Sequence, residues 1–356
     1  MKVLLTGGCG YIGVHLARKL CVAGYSVVVL DKCLFPSGEQ YLQAWANMDE
    51  MDLLVIRDDV RTVNSKLFLH GFDAVCHLAG LSNDPTANKY PEANFAINYE
   101  GTVRLATLAK AAGVNRFTFA SSASVYGGSD TKGLLETAPL KPVGHYGEAK
   151  AKAEDALLRL AGNGFEPVIL RQATVSGWSP RMRWDLVVNT FVRLALKHGL
   201  IRVHAGGEAL RPLIDVQDVA EAHVRFLEAE GVGGQVYNVA KRRQPKGDCV
   251  PLSEGYTIAC LALYVQHLLK QMGTECRVVG DWSRGEGRSY DIDCSKMRET
   301  LGWEPQRGVM TMVSDLLENF GAEEMTGVDD AETNNIGWMD ALVYGESLAN
   351  EFGGVF

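Results

Sequence analysis

The sequence predicts an α/β protein, a doubly wound parallel sheet with a smaller α/β C-terminal unit. Three observations carry this. Short, continuous apolar runs (KVLLT, SVVVLD, DAVCHLAG, RFTFASS) alternate with longer stretches of helical periodicity, the pattern of strands buried on both faces. Glycines such as Gly24 and Gly113 close the helical stretches. The hydrophobic share, 47% of 356 residues, can fill a sizeable core.

In order along the chain, KVLLT is the first strand and residues 11–23 an amphipathic helix. SVVVLD is a valine-rich strand, and DLLVIRDDV and DAVCHLAG are further buried strands. A long helix, EANFAINYEGTVRLATLAKAAG, leads to RFTFASS, then a loop, the helix YGEAKAKAEDALLRLAG and the strand EPVILRQ. Right-handed crossovers turn this alternation into a doubly wound sheet. Beyond residue 172, helical segments (RWDLVVNTFVRLALKHG, YTIACLALYVQHLLKQMG, VMTMVSDLLENF) alternate with the short strands IRVHAG, QVYNVA and ECRVVG. The expected division is 1–171 as a dinucleotide-binding domain to which 215–240 returns. Residues 172–214 and 241–320 form a substrate-binding domain, and 321–356 an acidic extension without Lys or Arg. KRRQPKGDCVPLSEG reads as a basic loop, and GWMDALVYGESLANEF in the extension as a helix able to dock.

The net charge of −8 argues against a nucleic-acid partner, whose phosphates require clustered Lys and Arg. No apolar run is long enough to span a membrane, and the N-terminus reads as a strand and turn rather than a signal peptide. The eight cysteines form no CxxC pair, so the expectation is a reduced, cytoplasmic protein without a metal site.

TGGCGYIG places Gly7, Gly10 and Gly13 directly after a strand and at the start of a helix. Gly7 permits a tight turn, Gly10 a close approach of backbone to a pyrophosphate, and Gly13 close packing of helix on sheet; this is a Rossmann-type dinucleotide loop that includes Tyr11 and Ile12. The next strand ends in Asp31, whose carboxylate suits ribose hydroxyls and repels a 2′-phosphate, which favours NAD; Lys32 beside it keeps NADP open. Asp59 and Val60 in RDDV, and Leu78, Ala79 and Gly80 in HLAG, fall at strand ends on the same edge. Tyr146 and Lys150 in HYGEAK share one face of a helix, four residues apart. A neighbouring ammonium stabilises a phenolate, so the pair suits general acid–base work on an alcohol or ketone.

These motifs, together with SSASVYG, LRQATVSG, RPLIDVQDV and RSYDID, resemble an extended short-chain dehydrogenase/reductase of the nucleotide-sugar epimerase/dehydratase type over residues 1 to about 320. The similarity extends to UDP-glucose/UDP-galactose 4-epimerase-like members. The resemblance implies that Ser122 hydrogen-bonds the reacting sugar oxygen, that Tyr146 is the acid/base, and that Lys150 binds the nicotinamide ribose. It implies a supporting role for Asn98 and a diphosphate clamp from Arg211 and Arg288. It also implies NAD as cofactor, a nucleotide-diphosphate sugar as substrate, and a homodimer built on the helices of Asn98 and Tyr146. His77, His145, Trp178 and Trp184 read as structural.

Departures refine this. Dehydratases of the family carry Asp-Glu after the catalytic hydroxyl; this chain has Ala123 and Ser124, which disfavours water elimination. Ser121 and Ser124 are open to structural or substrate roles, with Ser124 kept as a substrate candidate. Thr174 stands where an Asn is usual, and Ser82, Asn83 and Asp84 replace a loop that carries Lys in galactose epimerases. Arg183, Asp185 and Asn189 in PRMRWDLVVN form a polar cluster, read as part of the substrate pocket against the alternative of an ion pair at a helix start. The expected function is C4 epimerisation through a 4-keto sugar with hydride returned from bound NADH. The alternatives are a ketoreductase using exchangeable NAD(P)H and a non-catalytic dinucleotide-binding sensor.

Overall fold

The structure is a computed structural model that describes residues 1–129, 132–241, 256–281 and 289–320. The first half runs β1 (Lys2–Thr6), α1 (Gly13–Val22), β2 (Ser26–Asp31), α2 (Pro36–Asp49), β3 (Leu53–Arg57), β4 (Ala74–His77), α3 (Asp84–Lys89), α4 (Pro91–Phe95), α5 (Thr102–Ala111), β5 (Arg116–Ser122), α6 (His145–Leu160) and β6 (Glu166–Gln172). The second runs β7 (Thr174–Ser176), α7 (Val187–His198), β8 (Leu200–Val203), β9 (Leu210–Arg211), β10 (Leu213–Asp215), α8 (Val216–Glu228), β11 (Gln235–Val239), β12 (Tyr256–Thr257), α9 (Ile258–Gln271), β13 (Arg277–Gly280), α10 (Ser295–Leu301) and α11 (Val309–Asn319).

Seven strands form one parallel sheet in the order β11-β6-β5-β4-β1-β2-β3. The order reverses between β1 and β4, so their carboxyl ends part and open a crevice for a ligand. Alternation in β1 explains its unbroken apolar run. Val3 and Leu5 pack with Val14, Leu16 and Leu20 of α1, whereas Leu4 packs with Leu105 and Ala109 of α5. Both layers are covered, so no position of the strand can be polar without a partner.

Helix α8 packs on α1 and covers the large sheet, and most of the remaining elements form a smaller layer. β8 pairs with β13, β9 with β12, and β7 with β10. Helices α7, α9 and α11 close over Val188, Phe191, Leu261, Val265, Met312 and Leu316. Side-chain caps start the two longest helices of the second half. Asp215 accepts from Gln217 N–H at 2.8 Å in α8, and Thr257 from Cys260 N–H at 3.2 Å in α9.

QVYNV, within the 215–240 stretch expected to return to the first domain, pairs with β6 at the edge of the large sheet. Several sequence expectations shift. DLLVIRDDV leaves the sheet at Arg57, so Asp59 and Val60 lie in the following loop. The long helix from Glu92 is broken by a π-helical stretch, Ala96–Gly101, between α4 and α5. Helices α2 and α3, absent from the sequence reading, fill the stretches after Asp31 and after the HLAG turn. Most of KRRQPKGDCVPLSEG, and all of the acidic extension with GWMDALVYGESLANEF, lie outside the described residues.

Candidate active site

A groove of about 560 Å³ follows the carboxyl edge of the sheet across the switch point. Gly7, Gly10, Tyr11, Ile12, Gly13, Asp31, Asp59, Val60, Leu78, Ala79 and Gly80 line one arm. Ser122, Ser124, Tyr146, Lys150, Ser82, Asn83, Asp84, Thr174 and Arg183 line the other.

The glycine loop is shaped as a cradle. Gly7 has φ +74°, and a Cβ there would lie 2.6 Å from the Ala79 nitrogen of the HLAG turn. A Cβ on Gly13 would lie 2.6 Å from Gly8 Cα, so a side chain at either position would push loop, turn and helix apart. No side chain caps the start of α1, which leaves its first amides to a phosphate. Asp31 accepts from the Cys9 N–H at 2.9 Å and the Cys33 N–H at 2.8 Å. Burial pushes its carboxyl up, and those two amides oppose the shift. Asp59 is held by Arg61 at 2.7 Å and by Lys32 at 3.1 Å. Burial works against its charge, but these partners win and bring its carboxyl down to about 2. Lys32, the residue that kept NADP open, is thus turned to Asp59. The cradle, the uncapped helix and the buried carboxylate fit a dinucleotide.

At the other arm, Ser122 accepts from the Ser124 amide at 3.2 Å and the Ser124 hydroxyl at 2.8 Å. Burial pushes the Tyr146 phenol up to about 12, against the pull of Ser122 and of the Arg183 charge. The sequence predicts a phenol lowered by Lys150, but in the fold burial dominates. Lys150 donates to the Ala120 carbonyl at 2.9 Å, and its ammonium lies 6.0 Å from the centre of the Tyr146 ring. Burial draws Lys150 down to about 8, opposed by Glu154 one turn further along α6.

Ser121 proves structural. Its hydroxyl donates to Glu154, which Arg171 grips through Nε and Nη2, the latter at 2.7 Å. Arg171 also donates to the Tyr126 hydroxyl at 2.8 Å, and Tyr126 to Asn238 at 2.7 Å. His77 is likewise structural, bridging Thr6 at 2.6 Å and Thr102 at 2.8 Å, and burial holds it neutral with its pKa at about 3.

Arg183 is both paired with Asp185 and part of the groove wall. It forks onto Asp185 at 3.0 and 2.6 Å, and it also faces the groove, donating to Ser82 at 2.9 Å. Asn83 donates to the same carboxylate at 3.1 Å and caps α3 by accepting from Thr86 N–H at 2.9 Å. Asp185 is therefore a groove carboxylate brought from a distant segment; burial opposes its charge, but Arg183 keeps it below the usual range.

Three candidates do not line the groove. Asn189 is fully buried: it accepts from Gly177 N–H at 2.9 Å, and donates to the Arg183 carbonyl at 2.8 Å and the Tyr11 hydroxyl at 3.2 Å. Its amide is spent on backbone and cannot meet a sugar. Asn98, in the π-helical stretch, sits behind Gly80 and donates to the Leu81 carbonyl at 2.9 Å and Asn94 at 2.6 Å. Arg211 donates to the Leu210 carbonyl at 2.8 Å and lies 5.4 Å over Tyr290, which does line the groove. Arg288 lies outside the described residues. The sequence reading missed Phe35, Arg181, Gln172 and Tyr290 in the groove wall. Arg181 stacks 3.5 Å over Phe35, and burial lowers it to about 9. The doubled arginine of PRMR was a usable signal; Phe35 lies in a segment with no motif.

A sequence model described as the NAD dependent epimerase/dehydratase family matches residues 3–240. The chain belongs to this family. It is 29% identical over 339 residues to a UDP-glucose 4-epimerase of Bacillus subtilis (strain 168), covering 88% of this chain and 95% of the relative. A UDP-glucose 4-epimerase of Rhizobium leguminosarum bv. trifolii is 30% identical over 321 residues, covering 85% and 92%. A solved UDP-glucose-4-epimerase from Stenotrophomonas maltophila, with bound NAD and formylated UDP-arabinopyranose, superposes with a TM-score of 0.77. It shares 25% identity and covers 92% of this chain and 99% of that one. Within the family's frame, the glycine cradle and the Ser122–Tyr146–Lys150 cluster occupy the two arms of one groove. No helix among the described residues is long and apolar enough to cross a membrane.

Proposed function

We propose that the protein is an NAD-dependent 4-epimerase of a UDP-linked sugar. The observation that carries this reading is the meeting of Ser122, Tyr146 and Lys150 in the same groove as the dinucleotide cradle. When bound, NAD would supply a reversible hydride acceptor for carbon 4 of the sugar. Tyr146 takes the proton of the 4-hydroxyl and later returns it. Ser122 donates to the same oxygen as it becomes a ketone and then an alcohol again. Lys150, buried beneath them, holds positive charge next to the phenol and offers it to the nicotinamide ribose. Ala123 and Ser124 supply no acid after Ser122, and Asp185 is committed to Arg183. The arrangement supports redox at one carbon over elimination.

Gly7, Gly10, Gly13 and the start of α1 would hold the pyrophosphate, and Asp31 the adenosine ribose. Ser82, Asn83, Asp84, Ser124, Thr174 and Arg183 are assigned to the sugar-nucleotide end. We assign residues 1–171 with 215–240 to cofactor binding and 172–214 with 241–320 to substrate binding. A homodimer through the α4–α5 and α6 helices in the cytoplasm completes the reading.

The test is proton NMR of the purified protein with UDP-glucose, UDP-galactose and related UDP-sugars in deuterated water, without added cofactor. Interconversion with no deuterium at the inverted carbon is expected. Deuterium uptake there, or turnover only after NADH or NADPH is supplied with a keto sugar, would overturn the assignment.

A further inference from the structure

Two thiols meet at the adenosine end of the groove. Cys9 is the fourth residue of TGGCGYIG, and Cys33 follows Asp31 by two positions. Their sulfurs are 3.7 Å apart. The amides of the same two residues donate to opposite oxygens of Asp31, at 2.9 and 2.8 Å, so the ribose carboxylate sits at the root of the thiol pair. The two cysteines differ in exposure. Cys9 is buried, and its contact with Cys33, its burial and the Asp31 charge all push its thiol up, so it stays protonated. Cys33 is half-exposed, stands in a left-handed turn at φ 53°, and lies against the Arg57–Glu39 pair.

We propose that Cys9 and Cys33 are a disulfide-forming modification site for oxidants of the peroxide class, and that closing the bridge weakens the hold on NAD. Cys33 sulfur attacks the peroxide: an S–O bond forms, the O–O bond breaks, and the departing hydroxide leaves as water with the thiol proton. Cys9 sulfur then attacks the Cys33 sulfenic acid. The S–S bond forms, the S–O bond breaks, and hydroxide leaves as water with the Cys9 proton. The two cysteines lose two electrons and two protons, and one peroxide becomes two waters.

The coupling to the cofactor is geometric. A disulfide holds its sulfurs about 2.05 Å apart, so the pair must close by roughly 1.7 Å from its present 3.7 Å. The Cys9 backbone is held in place. Its carbonyl is packed against Gly38 of α2, and Gly8 beside it is packed on Val29, where a Cβ would lie 2.6 Å from the side chain. The turn at Cys33 moves instead, and draws its amide away from Asp31.

Hydrogen peroxide applied to the holoenzyme, followed by non-reducing tryptic mapping, tests this directly. Cleavage after Lys2, Arg18, Lys32 and Arg57 places the cysteines in separate peptides, 3–18 and 33–57, each with a single cysteine. The expected product joins these two peptides, lacks two hydrogens relative to their sum, and is reversed by dithiothreitol. NAD released on ultrafiltration is expected to rise roughly tenfold over the reduced enzyme, the loss of about one hydrogen bond to a charged group. Cys33→Ser is expected to form no joined peptide and to show no peroxide-dependent release. Absence of the joined peptide, or equal NAD retention by bridged and reduced enzyme, would overturn the proposal.

Discussion

Replacing Lys150 with Met should stabilise the protein at neutral pH while abolishing its activity. Lys150 is 4% exposed, and burial lowers its pKa from 10.5 to about 8. A displacement of that size corresponds to roughly 3 kcal/mol of unfavourable free energy for keeping the ammonium charged in the fold. Against it stands the hydrogen bond to the Ala120 carbonyl, about 1.5–3 kcal/mol for a charged donor. The methionine removes the charge and fills much the same volume, so a net gain of about 0–2 kcal/mol follows. The sign of the pH dependence is distinctive. Below pH 8 both folded and unfolded chains carry the proton, and the burial penalty is constant. Between about 8 and 10.5 the unfolded chain binds more protons than the folded one, so the parent gains stability as pH rises. The parent should therefore overtake the variant by up to roughly 3 kcal/mol across that window. Thermal unfolding of both proteins, freed of cofactor and followed from pH 7 to 10, reads this out. A stability difference that stays flat with pH, or a variant clearly less stable at pH 7, would refute the burial argument.

Other substitutions separate chemistry from packing. Tyr146→Phe should lower kcat by roughly 10²–10⁴ while the purified protein retains its NAD; loss of NAD with unchanged kcat would contradict the acid–base role. Asn189→Ala orphans the Gly177 amide and the Arg183 carbonyl, so thermal unfolding should show a loss of about 2–4 kcal/mol without a change in preference among UDP-sugars. A raised KM for one sugar at unchanged stability would return Asn189 to the substrate site. Gly13→Ala places a methyl group 2.6 Å from Gly8 Cα, so loop and helix must separate. NAD binding should be lost, with a stability decrease of about 1–3 kcal/mol, and undiminished NAD retention would contradict the cradle.

The sequence by itself determined the sheet, the glycine cradle and the placing of Tyr146 and Lys150 together. Each of these is written in local chemistry. Unbroken apolar runs require strands covered on both faces, glycines at 7, 10 and 13 require close backbone packing, and Tyr146 and Lys150 share a helix face by their spacing alone. Tertiary structure decided what spacing cannot. Asn189 and Arg183 lie six residues apart in one polar cluster, yet one amide is consumed by buried backbone while the guanidinium reaches the groove. Ser121 and Ser122 are neighbours, but strand alternation sends the first hydroxyl to the Glu154–Arg171 pair and the second to the Ser124 hydroxyl. Phe35 and Arg181 meet only because the fold brings the segment after β2 against the one after β7. Cys9 and Cys33, 24 residues apart, touch because β1 and β2 are adjacent parallel strands whose ends share one carboxylate. Side-chain identity and local period are carried by the chain. Which of two adjacent polar groups is spent on the core, and which is left for a ligand, is settled by whatever the rest of the molecule packs against it.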